Sequence, residues 1–327
     1  MVAMSEPRDL NRRVLIRSAV AGTAAVTGLT AAGLAATGGP ATAAPAAARS
    51  RTATLRWFGT SGWRIDVNGR TVLVDPYLTR FPTGLFTGAF DPATPLRVDA
   101  DAIGARVGGA ETVLVTHTHW DHFNDVPHIA KTVPGVRVLG TLTAYHLALA
   151  SGVPGGQAVP VKGGENLDFG DYTVEVVASL HSRNAAYSLA FPGVRLTPPP
   201  PPQTIGDLPE GDTLAYQVAV AGGPKLFFMG GSDFVERNLT GLAPDVAMVA
   251  LPSAGVVHDY TRRLLTALDH PRVVVPVHWD NFETPLRNPP PVAAGDAAKL
   301  DAFVAAIREA SPRSRVLVPA YDTPYTF

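Results

Sequence analysis

Cysteine is absent from the 327 residues. Disulfides, thiolate metal ligands and thiol nucleophiles are therefore excluded, and any bound metal must be held by histidine and carboxylate side chains. An excess of charge of one sign is missing too. The chain carries 27 basic and 28 acidic residues, and its first 50 hold five Arg and two acids, which leaves 22 basic against 26 acidic side chains beyond them. That balance argues against a nucleic-acid surface and leaves a small-molecule substrate as the expected partner. A strongly apolar run is also lacking. The stretch from Ser18 to about Gly38 is built of Ala, Gly and Thr, a poor composition for a spanning helix, so no stable membrane span is expected in the mature protein.

What is present begins with an address. Asn11-Arg12-Arg13-Val14-Leu15-Ile16-Arg17 resembles a twin-arginine export signal, and Ala41-Thr42-Ala43 and Ala46-Ala47-Ala48 offer two small-residue cleavage sites. Residues 1–48 read as an export signal with an Ala-rich linker, which places the protein outside the cell or at its envelope. Residues 51–327 read as one domain, and 46% hydrophobic content supplies its core.

Within that domain short β-branched runs alternate with helical stretches. Strands are expected at 54–58, 63–67, 70–74, 112–116, 137–139, 172–178, 214–220, 225–229, 246–250, 273–277 and 315–318. Helices fit after His122 toward Val133 and at 143–150, 260–268 and 297–309. Two hairpin turns stand out, Asn68-Gly69 and Gly222-Gly223. The first hairpin ends in Asp75 and is followed by a strand carrying His117; the second leads to Asp233 and is followed by a strand carrying His278. This duplication predicts an α/β fold, a four-layer αββα sandwich with a site where strand ends of both halves converge. The loops 79–95 and 192–209, the latter Pro-rich, are the expected site walls.

The densest chemical signal is His117-Thr118-His119-Trp120-Asp121-His122, directly after the apolar Val113-Leu114-Val115. Neutral imidazoles and a carboxylate splayed from a strand-to-helix loop suit zinc, which leaves a position open for water when three protein ligands bind. Manganese or iron would accept the same donors.

This stretch resembles the His-x-His-x-Asp-His signature of the metallo-β-lactamase superfamily, and the resemblance extends from about Thr54 to Pro285. It implies that His117, His119 and His181 hold one metal, that Asp121, His122 and His278 hold a second, that Asp233 bridges them, and that Asp75 supports a ligand from behind. It further implies hydrolysis by a hydroxide shared between two ions about 3.5 to 4 Å apart, with Asp121 or Asp233 accepting a proton. One departure is visible. The family places the bridging aspartate directly after the first Gly that ends the strand, whereas here Gly231 and Ser232 intervene.

Leu55-Arg56-Trp57-Phe58-Gly59-Thr60-Ser61-Gly62, Asp75-Pro76-Tyr77-Leu78 and His278-Trp279 are similar to the branch that includes ascorbate-6-phosphate lactonase and N-acyl-phosphatidylethanolamine phospholipase D. Lactone or related ester hydrolysis is accordingly expected first and phosphodiester hydrolysis second, with Arg183 the one cation near His181 suited to a phosphate. β-Lactam hydrolysis ranks lower, on the missing cysteine and on Asp233. A secreted, non-catalytic metal-binding protein is the alternative from another class. His258, near the end of an apolar run, is a further residue that could reach the pocket mouth.

Overall fold

The computed structural model describes residues 51–252, 255–292 and 296–327; the expected export segment lies outside them. In the first half of the domain the strands are β1 (Thr54–Gly59), β2 (Gly62–Val67), β3 (Arg70–Val74), β4 (Thr112–Leu114), β5 (Arg137–Gly140) and β6 (Ala158–Pro160). In the second they are β7 (Asn166–Asp168), β8 (Tyr172–Ala178), β9 (Leu214–Val220), β10 (Lys225–Met229), β11 (Val246–Ala250), β12 (Val273–Val277) and β13 (Arg315–Val316), with β14 (Tyr325–Thr326) at the end. They form two seven-stranded sheets, ordered β14-β1-β2-β3-β4-β5-β6 and β13-β12-β11-β10-β9-β8-β7.

The duplication read from the two hairpins is realised in the pairing. β1 to β3 are antiparallel and β3 to β6 parallel; β7 to β10 are antiparallel and β10 to β13 parallel. Asn68 and Gly69, at φ 50° and 76°, supply the two left-handed residues that a tight hairpin turn between twisted strands requires. Each sheet's inner face shows the period of two that half-burial imposes: Trp63, Ile65 and Val67 of β2 and Tyr172, Val174 and Val176 of β8 are buried, while their neighbours Arg64, Asp66, Thr173 and Glu175 are part-exposed. These inner faces meet in one core, and Trp57 of β1 lies 5.1 Å from Trp279 beyond β12, ring centre to ring centre.

Helices close the outer layers. α1 (Ala100–Val107), α3 (Val126–Thr132) and α4 (Leu142–Ala150) bury Ile103, Ile129 and Leu147 in a second core against Leu73 and Val113 of the first sheet. α6 (Tyr260–Ala267) and α7 (Ala297–Ala310) bury Leu264 and Phe303 against the other sheet. The αββα order is as expected from the sequence.

The expected strands at 112–116 and 315–318 end earlier, at Leu114 and Val316, and α1 was not anticipated. Gly104 interrupts its short pattern, and its start is fixed by Asp99, whose side chain accepts the Ala102 N–H at 2.9 Å. Short edge strands β6, β7 and β14 and the one-turn α5 (Glu236–Leu239) likewise carry too few residues for a periodicity to show. Among the described residues no helix is long and apolar enough to cross a membrane.

Candidate metal centre

Four strand ends line one cleft and a fifth stands behind it. Beyond β3 stands Asp75, beyond β4 the 117–122 loop leading into α2 (Trp120–Phe123), beyond β8 His181, beyond β10 Gly230, and beyond β12 His278. Ligand atoms of His117, His119 and His181 lie within 4.8 Å of one another, and so do those of Asp121, His122 and His278. The loop between β4 and α2 is buried throughout, so its polar side chains are kept only because each finds a partner.

Those partners decide which nitrogen each ring presents. His117 Nδ1 lies 3.1 Å from Thr116 Oγ1, and that hydroxyl donates in turn to Asp75 Oδ2 at 2.5 Å. The Thr116 oxygen therefore accepts Nδ1–H, and His117 Nε2 is left as a bare lone pair; this buried atom has no hydrogen-bond partner among the described residues. His119 donates Nε2–H to the Ala190 carbonyl at 2.9 Å, which frees Nδ1. His181 donates Nδ1–H to the Ser182 carbonyl at 2.8 Å, which frees Nε2. Burial, reinforced by the neighbouring imidazoles, holds His117 well below the ordinary histidine range and His119 at about 3. Burial also takes His181 down to about 4. Three neutral imidazoles with converging lone pairs are a donor set for a divalent ion.

The second group is charged. His122 donates Nδ1–H to Asp75 Oδ2 at 2.8 Å and turns Nε2 toward Asp121 Oδ2, 3.4 Å away. His278 Nε2 approaches the same Asp121 oxygen at 3.2 Å. Although burial opposes the charge, Asp121 and Asp75 raise His122 to about 10. Asp121 is held well below the usual carboxylate range: burial pushes it up, but His122 and His278 outweigh that. A carboxylate and two imidazoles complete a second set of donors for a divalent ion, and Asp75 takes the supporting position expected of it, holding both Thr116 and His122.

Asp233 belongs to neither donor group found among the described residues and does not line the cleft. Its main chain bridges to Leu180 and its Oδ1 accepts the Phe234 N–H at 2.8 Å, the turn role of an aspartate that follows a strand. The two extra residues explain the displacement. Gly230 lines the cleft, and a Cβ there would stand 1.9 Å from Thr116 Oγ1, while one at Gly231 would stand 3.1 Å from His181 Cα. Glycine occupies the stretch where a bridging side chain would have to start. The argument from Asp233 against β-lactam hydrolysis lapses with it.

Other expectations shift as well. His258 is exposed and does not line the cleft. Arg183 donates to the Tyr187 carbonyl and lines a neighbouring cavity of about 680 Å³, larger than the metal cleft but sharing only His181 with it. Of the two expected walls, the 79–95 loop supplies Leu85, Phe86 and Phe90 to the cleft, whereas Pro201, Pro202 and Leu208 line a different cavity. Phe191, just before the Pro-rich loop, lies 6.0 Å from His119.

An ion pair that the sequence did not single out anchors the His278 loop. Arg80 and Asp280 meet at 2.6 Å with both side chains fully buried. Asp280 also accepts from the Tyr321 hydroxyl at 2.7 Å and from the Thr60 N–H at 2.8 Å, and the Thr60 carbonyl accepts the His278 N–H at 2.9 Å. His278 itself is left-handed, at φ 62°, a conformation a non-glycine residue keeps only when its surroundings enforce it. The available signal was a charge two residues beyond His278 and another five beyond Asp75, each set among aromatic residues.

Two half-sandwiches with paired donor sets at their strand ends are the architecture of a metal-dependent hydrolase. A family profile described as "Beta-lactamase superfamily domain" matches residues 54–278. A UPF0173 metal-dependent hydrolase of Methylobacterium nodulans is 30% identical over 277 residues, 83% of this chain and 98% of that protein. Another, of Pyrobaculum arsenaticum, is 26% identical over 231 residues, 70% of this chain and 84% of that protein. In fold the chain is similar to Igni18, a metallo hydrolase of Ignicoccus hospitalis, at a TM-score of 0.54 and 19% identity, covering 84% of this chain and 98% of that one. The chain belongs to the metallo-β-lactamase superfamily, as a metal-dependent hydrolase.

Proposed function

We propose that the protein is an exported hydrolase that uses two divalent ions, zinc by the character of its donors, to open a lactone or a related ester with an apolar body. His117, His119 and His181 would hold one ion and Asp121, His122 and His278 the other. Bound there, the ions would supply an activated water at neutral pH and polarise the oxygen of the bond under attack. The protein's own part is to present bare imidazole nitrogens, to hold His122 through Asp75, and to exclude bulk water with a wall of aromatic residues. With Asp233 outside both donor groups, Asp121 is the carboxylate placed among the donors to take up a proton and return it to the leaving group.

The observation that carries the substrate class is the wall. Phe86, Phe90, Trp120 and Phe282 border a cleft of about 490 Å³, and among the described residues its one lining Lys or Arg, Lys299, is paired with Asp296 at 2.6 Å. An apolar acyl or aromatic group finds surface there, while a phosphodiester would want an uncommitted cation. The test is a hydrolysis panel on zinc-loaded protein: aryl and long-chain lactones and esters, bis(p-nitrophenyl) phosphate and a cephalosporin. Turnover of the lactones and esters at least tenfold above the other two is expected; faster phosphodiester or cephalosporin turnover would overturn the substrate assignment. Export rests on Arg12-Arg13 and the small-residue sites that follow. Replacing both arginines with lysine should leave the protein inside the cell, and unchanged secretion would refute that part.

A further inference from the structure

We infer that Glu283 is a positioning residue for the apolar part of the substrate: it holds the 83–91 loop in place as one wall of the metal cleft, and so sets whether a long acyl chain or an aromatic body is accepted. This deepens the proposed function and rests on its reading of an apolar substrate.

The loop stands on a single carboxylate. Glu283 Oε1 accepts the Thr83 N–H at 2.7 Å and the Leu85 N–H at 3.0 Å, and it accepts the Thr83 hydroxyl as well. Glu283 and Thr83 are both buried, and a hydrogen bond to a carboxylate is roughly twice as strong as one between neutral groups. Beyond Thr83 the chain folds back on itself. The Gly84 carbonyl accepts the Thr87 N–H at 3.2 Å and the Ala89 N–H at 3.0 Å, and the Asp91 N–H returns to the Thr83 carbonyl at 3.0 Å. Gly84 is left-handed, at φ 81°, and a Cβ there would stand 2.2 Å from the Ala89 carbonyl oxygen, so this close turn requires glycine. Among the described residues, positions 83–90 hydrogen-bond outside the loop only to Glu283.

What the loop presents is the cleft wall, through Leu85, Phe86 and Phe90. Leu85 and Phe90 remain 41% and 37% exposed, and a segment with so little buried surface opens readily unless something else fixes it. Phe86 packs edge-on to Phe282 at 4.8 Å between ring centres, and Phe90 lies 5.8 Å from Trp120. Glu283 follows Phe282 directly, on the segment beyond β12 that carries His278. Its bonds therefore tie a loop of the first half-sandwich to the strand end of the other. Glu283 belongs to neither donor group and does not line the cleft, so it acts on a substrate only through the wall. The His278 main chain is held separately, by Thr60 and through it Asp280, which leaves the metal donors in place when Glu283 is replaced.

The test compares γ-decalactone with γ-butyrolactone, the same ring with and without a hexyl tail, on the zinc-loaded, full-length parent and on Glu283→Ala, Glu283→Gln and Thr83→Val. Glu283→Ala should raise KM for γ-decalactone about tenfold, the low end of what an altered apolar pocket commands, with kcat and zinc content retained and kcat/KM for γ-butyrolactone unchanged. Glu283→Gln keeps an acceptor oxygen and Thr83→Val loses only the hydroxyl. Both should fall between the parent and Glu283→Ala, and they decide the question if Glu283→Ala does not fold. Hydrogen exchange read by mass spectrometry follows the wall itself: amides of 83–91 should lose protection in Glu283→Ala while those of β12 keep theirs. Unchanged discrimination between the two lactones, equal loss on both, or loss of zinc together with kcat would overturn the inference. If the parent hydrolyses neither lactone, the lactone reading falls, and exchange alone decides whether Glu283 holds the wall; unaltered protection of 83–91 in Glu283→Ala would show that it does not.

Discussion

Each donor triad takes two side chains from the buried 117–122 loop and one from a strand end of the other half-sandwich, yet the two are supported differently. The His117, His119 and His181 rings are each fixed directly by a neutral acceptor, two of them main-chain carbonyls. The Asp121, His122 and His278 group depends on longer connections: Asp75 behind His122, and behind His278 a chain that runs through Thr60 and Asp280 to Arg80 and Tyr321. Placement is tertiary in both triads, but the first is oriented by neutral acceptors and the second by buried charges. The difference predicts that the two triads fail in different ways.

The largest effect is expected at the ligands. His119→Ala and Asp121→Ala should each reduce hydrolysis of whichever panel compound is turned over to the uncatalysed background, with far-UV circular dichroism unchanged. Parent-like rates in either variant would break the assignment of both triads.

Next comes the tertiary support. Arg80→Met leaves Asp280 buried opposite an apolar side chain, and removing one partner of such a pair costs about 3–5 kcal/mol. Chemical denaturation should register that loss. Metal that remains bound should sit on the first triad, and equal loss from both would erase the proposed difference in support.

The same division explains what could be read from the chain. The 117–122 donors were legible because strand, loop and helix follow one another within a few residues, and the paired hairpins at Asn68-Gly69 and Gly222-Gly223 carried the duplicated fold. His181 and His278 were reached through resemblance to a family, since a lone histidine after an apolar run has no local signature. Asp233 shows the limit of that route. Its carboxylate stands two residues too late, and only the packing of Gly230 on Thr116 and of Gly231 on His181 shows why the chain cannot shift to correct it. Arg80 and Asp280 lie 200 positions apart, so nothing along the sequence announces that they meet.

A smaller effect is expected at Asp75. Asp75→Asn keeps one acceptor for Thr116 but sets an amide against His122 Nδ1–H, and the left-handed backbone there, φ 39°, suits asparagine as well as aspartate. Affinity for the second equivalent of metal should fall about 10- to 100-fold, as measured by competition with a chelator, and the first should change less. A larger effect on the first equivalent would mean that the hydrogen bond from Thr116 to Asp75 serves His117 more than the direct one serves His122.

The subtlest distinction is in protons. In the metal-free protein His122, raised to about 10, carries a proton at pH 8, while His119 and His181, lowered to about 3 and 4, and His117, lower than its ordinary range, carry none. A metal ion at the second triad must therefore displace one proton from His122; one at the first triad displaces none. Raising pH from 6 toward 9 moves closer to the His122 value, weakens the proton's competition, and should strengthen binding of the second equivalent by about tenfold per unit. The first should rise less steeply over the same interval, because its imidazoles are unprotonated throughout. An indicator dye in weakly buffered solution at pH 8 reads the difference directly: the second equivalent is expected to release about one proton more than the first, whatever bound water contributes to each. Equal release from both would show that Asp75 and Asp121 do not set the second triad apart.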